Sequence, residues 1–283
     1  MVKFRFQLFS DIHYELTKNI PKIPNLAPYL FLAGDIGKIN TNNFTEFIEY
    51  ANKNWEKVFY VCGNHEYYHA SKTHGEINQM YKNLFVNYPN IIFLDDSHYK
   101  LNITNQLNNN NQIKIYGSTL WSNITQTNKL NDFNMIKMKN EKNWTVPINE
   151  KYFNQLHFNS LKQLVNTVKE SAITNEKLII ITHFPPIKKI NGTNNTTSHI
   201  KFQSQPEYLA NYFANDLMGL KLNTYGINEN DFYSNINLWI SGHTHYSYDF
   251  TYNKTRFLSN QIGYIGEQNM SNPKYDGVFE IDL

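Results

Sequence analysis

Five apolar runs of strand length each stop at residues that can bind a metal or move a proton, and no other feature of this 283-residue chain constrains its fold as strongly. Lys57-Val58-Phe59-Tyr60-Val61-Cys62 runs into Gly63-Asn64-His65-Glu66. The run from Phe4 to Phe9 leads to Asp11-Ile12-His13, and Tyr29-Leu30-Phe31-Leu32-Ala33 to Gly34-Asp35. Lys177-Leu178-Ile179-Ile180-Ile181 leads to Thr182-His183, and the run from Ile236 to Ile240 to Gly242-His243-Thr244-His245. A continuous run without alternation, as in Tyr29 to Ala33, suits a strand covered on both faces. Open α/β sheets gather ligands at strand ends, so residues spread from 11 to 245 can converge.

The stretches between these runs predict a layered α/β core. Residues 44, 47, 48 and 51 carry a helical period, with Asn43 or Thr41 as cap. Helices are also expected near 75–87, from Tyr152 to about Ala172 and from Pro206 to Leu220. Ile91-Ile92-Phe93-Leu94 reads as a strand, and Tyr99 to Ile103 with Ile113 to Tyr116 as a hairpin across an Asn-rich loop. The tail, 246–283, alternates enough for two or three antiparallel strands. One domain is expected over 1–283, with lid-like insertions at about 122–150 and 188–235 and an active-site loop over 14–28.

Asp and His are suitable ligands for Zn, Fe, Mn and related ions, and Asn64 offers a neutral amide oxygen. Two cations about 3.5–4 Å apart need a shared ligand, which a carboxylate provides; Asp35 is the natural bridge. Gly34, Gly63 and Gly242 are expected to let the backbone turn sharply after each strand. Each motif alone is ordinary: a lone His is more often a hydrogen-bonded side chain than a ligand, and Gly34-Asp35-Ile36-Gly37 alone is a turn. Their joint position at strand ends is not ordinary. His69, His74, His98, His157 and His199 lack that setting and are expected at the surface, with His69 and His199 as lid candidates. Tyr67, Trp121 and Phe184 are candidate substrate contacts, able to stack on a nucleobase or, more blandly, to pack the sheet edge. Tyr68 has the same two readings.

Composition narrows the function classes. The chain is 41% hydrophobic and 15% aromatic, as a globular protein is. A net charge of +2 gives no electrostatic reason to expect nucleic-acid or membrane binding. Cys62, the single cysteine, excludes an intramolecular disulfide and reads as a buried small hydrophobe. With no signal-like start and no apolar run near roughly 18 residues, a cytoplasmic protein without a membrane partner is expected.

The order D-x-H, G-D, G-N-H-E, a lone H and G-H-x-H, spanning residues 8 to 245, resembles the calcineurin-like metallophosphoesterase superfamily. Asn260-Gln261-Ile262-Gly263-Tyr264 is similar to an N-P-x-G-Y element of some members, and Gly117-Ser118-Thr119-Leu120-Trp121 to a G-T-T-L-W segment. The resemblance implies a four-layer αββα sandwich and two divalent cations, drawn from Mn, Fe, Zn, Co or Ni. Asp11, His13 and His245 would bind one and Asn64, His183 and His243 the other, with Asp35 bridging and His65 as the catalytic acid or electrostatic stabiliser. Either Glu66 or Asp11 would orient His65. Lys38 and Ile39 replace the Asp and Arg of the protein-phosphatase motif G-D-x-x-D-R-G, which argues against a serine/threonine protein phosphatase. The implied reaction is hydrolysis of a phosphodiester or phosphomonoester through a metal-bridging hydroxide, on a small phosphoester or nucleotide. The alternatives are a nuclease acting on DNA or RNA ends and a non-catalytic scaffold of the same fold. The chain has neither the basic excess nor the coiled-coil stretch expected of such a nuclease, and no ligand is missing as in a scaffold.

Overall fold

The apolar runs become strands whose side chains alternate between an inner and an outer core. The computed structural model describes residues 3–16, 23–104, 110–126, 130–190, 192–198, 206–218, 220–267 and 271–283. Strands β1 (Lys3–Phe9), β2 (Tyr29–Ala33), β3 (Lys57–Val61) and β4 (Ile91–Phe93) lie parallel, with Leu8 opposite Phe31 and Phe31 opposite Phe59. The second sheet contains the expected hairpin, β5 (Ser97–Thr104) and β6 (Asn110–Ser118), and two strands parallel to β6, β9 (Lys177–Thr182) and β10 (Leu238–Ile240). β12 (Thr255–Ser259) adds in parallel to β10 and carries β11 (Tyr248–Tyr252) antiparallel at the edge. The third strand of the tail, β13 (Val278–Asp282), crosses to the other sheet and pairs antiparallel with β1.

Phe31, Ala33, Phe59 and Val61 of one sheet meet Ile179, Ile181, Leu238 and Ile240 of the other in the central core. The intervening residues point outward. Leu30, Leu32, Val58 and Tyr60 pack against α1 (Asn42–Asn54) and α2 (His74–Phe85). Leu178, Ile180 and Trp239 pack against the long helix over Glu150–Thr174, here α4, and the short one over Glu229–Ser234, here α7. The result is a four-layer αββα sandwich. Each fully buried Val, Leu, Ile or Phe side chain of these cores contributes about 1.5–3 kcal/mol. Among the described residues, no helix is long and apolar enough to cross a membrane.

Departures from expectation have local causes. The helix expected from Pro206 to Leu220 is Glu207–Phe213 (α5), followed by a separate turn, Leu220–Asn223 (α6). Ala214 is extended, and Asn215 is pinned by its N–H to the Pro185 carbonyl (2.9 Å) and by Nδ2 to the Leu120 carbonyl (3.1 Å). Within the segment 188–235, Leu217, Leu222, Phe232 and Tyr233 belong to the core over the second sheet. The segment 122–150 holds a four-residue helix, α3 (Asp132–Met135), and a small hairpin of β7 (Lys137–Lys139) and β8 (Thr145–Pro147), too short to leave a period in the sequence. Thr41 is the N-cap of α1, yet its hydroxyl donates to the Lys38 carbonyl and accepts no helix N–H. His74 and His157 are not surface residues. His74 stacks on Tyr67 (4.2 Å) and the Nδ1–H of His157 donates to the Trp121 carbonyl (2.6 Å); burial lowers both, to about 4.

Candidate metal centre

Because β1, β2 and β3 run parallel, as do β9 and β10, the motifs that follow them reach one rim. The loops are laced together there. Asp11 N–H donates to the Gly34 carbonyl, His13 N–H to the Asp35 carbonyl and Gly242 N–H to the His183 carbonyl, at 2.9–3.0 Å. Asp11, His13, Asp35, His243 and His245 all have positive φ, from 50° to 73°. Non-glycine residues rarely adopt that conformation, and it costs about 1–2 kcal/mol each; here the ligand-type residues themselves make the turns. Of the three glycines expected to turn the chain, only Gly34 has positive φ (84°). Gly63 and Gly242 serve close approach instead. A Cβ on Gly63 would lie 2.1 Å from Asp35 Oδ1, and one on Gly242 would lie 2.8 Å from Asp11 Oδ2. Gly63→Ala is therefore expected to cost about 1–3 kcal/mol by overpacking, read by denaturant unfolding; unchanged stability would mean that Asp35 can move aside.

The side chains present acceptors to one another. His13 Nδ1 lies 3.3 Å from Glu15 Oε1, and His245 Nδ1 2.5 Å from Glu267 Oε2. Each ring thus gives its Nδ1–H to a carboxylate and offers an Nε2 lone pair, and those two Nε2 atoms are 3.2 Å apart. Asp11 Oδ1 is 3.5 Å from His245 Nε2, and its carboxylate also accepts the His243 N–H. Asp35 Oδ2 sits between the two groups, 3.9 Å from His13 Nε2 and 3.5 Å from His183 Nε2. His183 donates Nδ1–H to the Ala33 carbonyl (2.9 Å), which turns Nε2 to Asn64 Oδ1 (3.1 Å). Asn64 is held in that sense by its Nδ2, which donates to Asp132 Oδ1 (2.9 Å). His243 Nε2 is buried with no hydrogen-bond partner among the described residues.

Lone pairs facing lone pairs repel unless positive charge lies among them, so the donor set fits divalent cations. Asp11, His13 and His245 form one group able to hold an ion, and Asp11, Asp35 and His183 another. The electrostatics agree. Burial opposes charge on His183, yet Asp35 beside it raises it to about 9. Burial would likewise raise the Asp35 carboxyl, but His183 and His65 hold it well below the carboxylate range.

His65 lies beside this cluster. Its N–H donates to Asp35 Oδ1 (2.9 Å), its ring stacks on Tyr68 (4.4 Å), and Nε2 is 3.2 Å from the Tyr264 hydroxyl. Burial opposes its charge, while Asp35 and Glu15 raise it to about 8. Neither residue expected to orient it does so. Asp11 is engaged with His243 and His245. Glu66 turns away on a 3₁₀ turn, His65–Tyr67, and accepts the N–H groups of Asp35, Ile36, Gly37 and Gly63 and the Tyr60 hydroxyl. The carboxylate at His65 Nδ1 is Glu15, at 3.2 Å.

A cleft of about 370 Å³ opens over Asp35, Asn64, His65, His243 and His245. Its apolar wall is Tyr68, Leu209, Tyr212, Phe213 and Tyr264. Tyr67, Trp121 and Phe184 are buried and do not line it. Trp121 packs between Phe153 and Phe184, and Phe184 backs the His243 ring at 3.9 Å, so all three occupy packing positions. His69 Nδ1 accepts the N–H groups of Ser71 and Lys72, a turn role, and His199 lies outside the described residues. Glu15, Asp132 and Glu267 were not singled out from sequence. Glu15 alone carried a signal, a carboxylate two residues beyond His13 as His13 is two beyond Asp11. Gly263 N–H bonds the Asp11 carbonyl, so the 260–264 element holds the first motif in place.

Three comparisons bear on this geometry. The family model described as calcineurin-like phosphoesterase matches residues 4–247. An uncharacterized protein of Acanthamoeba polyphaga mimivirus is 32% identical over 260 residues, 89% of this chain and 84% of that one. Among solved structures, the phosphopantetheinyl hydrolase of Mycobacterium tuberculosis shares the fold, with TM-score 0.66, 14% identity, and coverage of 99% of this chain and 96% of that one.

Proposed function

Because the chain belongs to the calcineurin-like phosphoesterase family, we propose that it hydrolyses a small phosphoester with two divalent cations at the rim of its sheets. Asp11, His13 and His245 would hold one and Asn64, His183 and His243 the other, with Asp35 shared. The observation that carries this is the pair of Nε2 atoms of His13 and His245, 3.2 Å apart, each ring tied through Nδ1 to a carboxylate. When bound, the cations supply Lewis-acid charge and a water acidified towards neutrality.

The chain's own groups do the rest. His65 faces the cleft through Nε2 and, as an imidazolium protonated on both nitrogens, gives its Nε2 proton to the departing alcohol oxygen. Tyr68 and the Asp35 carboxylate hold its ring and backbone. Asp132 keeps the Asn64 amide oxygen turned inward. Leu209, Tyr212 and Phe213 present an apolar wall, which suits a substrate with a planar or apolar group beside its phosphate, such as a nucleotide. Leu130 with α3, and α5, act as lids on the single domain.

His65→Ala is expected to lower turnover by about 10²–10⁴-fold while metal content stays at the wild-type level; a parallel loss of metal would make His65 a ligand instead. The direct test of the function is metal-depleted protein reloaded with Mn, Co, Ni, Zn or Fe and offered a nitrophenyl monoester beside a bis-nitrophenyl diester. Turnover of either that requires the metal supports the reading, and the preferred ester sets the substrate class. Silence on both, with two metals bound, would favour the scaffold alternative, and steeply salt-dependent DNA binding would favour a nuclease.

A further inference from the structure

We propose that Glu15 is the positioning residue for His65, and that one of its carboxylate oxygens ties the proton donor to the cation-binding His13. The proposal rests on the phosphoesterase reading above. Glu15 Oε1 is 3.2 Å from His65 Nδ1 and 3.3 Å from His13 Nδ1. The side chain is 5% exposed. Its other oxygen, Oε2, is buried with no hydrogen-bond partner among the described residues. A buried carboxylate is costly unless its oxygens are satisfied, and here the other side chains that satisfy it are two imidazoles.

An ionised carboxylate accepts hydrogen bonds and donates none, so both imidazoles must carry a proton on Nδ1 to meet it. With Nδ1–H held there, both Nε2 atoms turn to the reacting side, as a lone pair on His13 and, in the imidazolium form of His65, as the N–H that protonates the leaving group. His13 Nε2 then faces His245 Nε2 and Asp35 Oδ2, and His65 Nε2 faces the cleft and the Tyr264 hydroxyl. The rings of His13 and His65 meet edge to face at 4.6 Å, so the shared oxygen also fixes their spacing. The other carboxylates near His65 are already committed: Asp35 Oδ1 to the His65 N–H, and Glu66 to five donors below the site. Without Glu15, nothing among the described residues holds His65 at Nδ1, and the ring can flip or change tautomer.

The test combines a spectrum with kinetics. Imidazole ¹⁵N spectra of the protein, with and without saturating zinc and at alkaline pH where the ring is neutral, report the His65 tautomer in wild type, Glu15→Gln and Glu15→Asp, with His65→Ala giving the assignment. Turnover is measured on an alkyl phosphoester and on a nitrophenyl ester, whose leaving group needs no proton. Wild type should show Nδ1–H on His65, and Glu15→Gln should lose that preference. In Glu15→Gln, kcat should fall about 10–100-fold on the alkyl ester, less on the nitrophenyl ester, with KM little changed. With metal saturating and equal metal per chain in every variant, so that the Glu15 contact to His13 no longer counts, adding Glu15→Gln to His65→Ala should cost nothing further, and Glu15→Asp should keep the tautomer and much of the rate. An unchanged His65 tautomer in Glu15→Gln, or losses that multiply in the double variant at equal metal occupancy, would overturn the proposal. Should Glu15→Gln not fold, the Glu15→Asp variant decides by the same kinetics: its partial loss must vanish in the His65→Ala background. If wild type hydrolyses no phosphoester, the phosphoesterase reading fails, while the spectra still decide whether Glu15 sets the His65 tautomer.

Discussion

Asp35→Asn is expected to lower turnover by about 10³-fold or more, equivalent to about 4 kcal/mol, and to release metal. The residue joins three parts of the site. Oδ1 accepts the His65 N–H, and Oδ2 faces His183 on one side and His13 on the other. Asparagine can keep the Oδ1 contact but removes the charge. Its amide hydrogens would also point at Nε2 atoms that a cation needs. In a buried setting the loss of one charge between two cations is worth several kcal/mol. Metal per chain and kcat, measured on the same sample, check this together. Full metal occupancy with wild-type turnover would remove Asp35 from the bridging position.

Glu66→Gln is expected to destabilise the fold by about 3–5 kcal/mol. Oε2 accepts Asp35 N–H (2.9 Å) and Gly63 N–H (2.8 Å), and Oε1 accepts Ile36 N–H (2.8 Å), Gly37 N–H (3.4 Å) and the Tyr60 hydroxyl (2.8 Å). This one carboxylate therefore staples the end of β2 to the end of β3 beneath the rim. A glutamine places an NH₂ group against one set of donors, leaving at least two buried donors unsatisfied. Because Asp35 rides on the stapled loop, metal affinity should fall with stability. Denaturant unfolding measures the first effect, and a loss under about 1 kcal/mol, the range of an ordinary surface change, would show that the loop holds itself.

The parts of this molecule legible in its sequence are those where residue type and setting coincide. The runs at 29–33 and 178–181 are apolar throughout because both faces of each strand are covered, so their place inside the sandwich could be read directly. The residues at their ends could be read because imidazole and carboxylate are unusual next to buried strands. What escaped depends on direction in space. Glu66 follows His65 in the chain, yet the 3₁₀ turn sends its carboxylate under β2, and the carboxylate that reaches His65, Glu15, comes from the loop after β1. Aromatic type does not reveal which side of a sheet edge a ring takes, so Tyr67, Trp121 and Phe184 lie in the core while Tyr212 and Phe213 reach the cleft. Helical pattern beyond Phe213 lost to Asn215, whose hydrogen bonds to distant loops outweigh local propensity. Asp132 and Glu267 sit in polar stretches without a period, where only the folded contact marks them.

The measurement that bears most directly on the metal centre is anomalous diffraction from crystals of the manganese- or zinc-loaded protein. Two peaks about 3.5–4 Å apart, one beside Asp11, His13 and His245, the other beside Asn64, His183 and His243, with the Asp35 carboxylate between them, are the predicted result. A single ion, or ions bound elsewhere on the chain while these side chains stay hydrogen-bonded to one another, would contradict it.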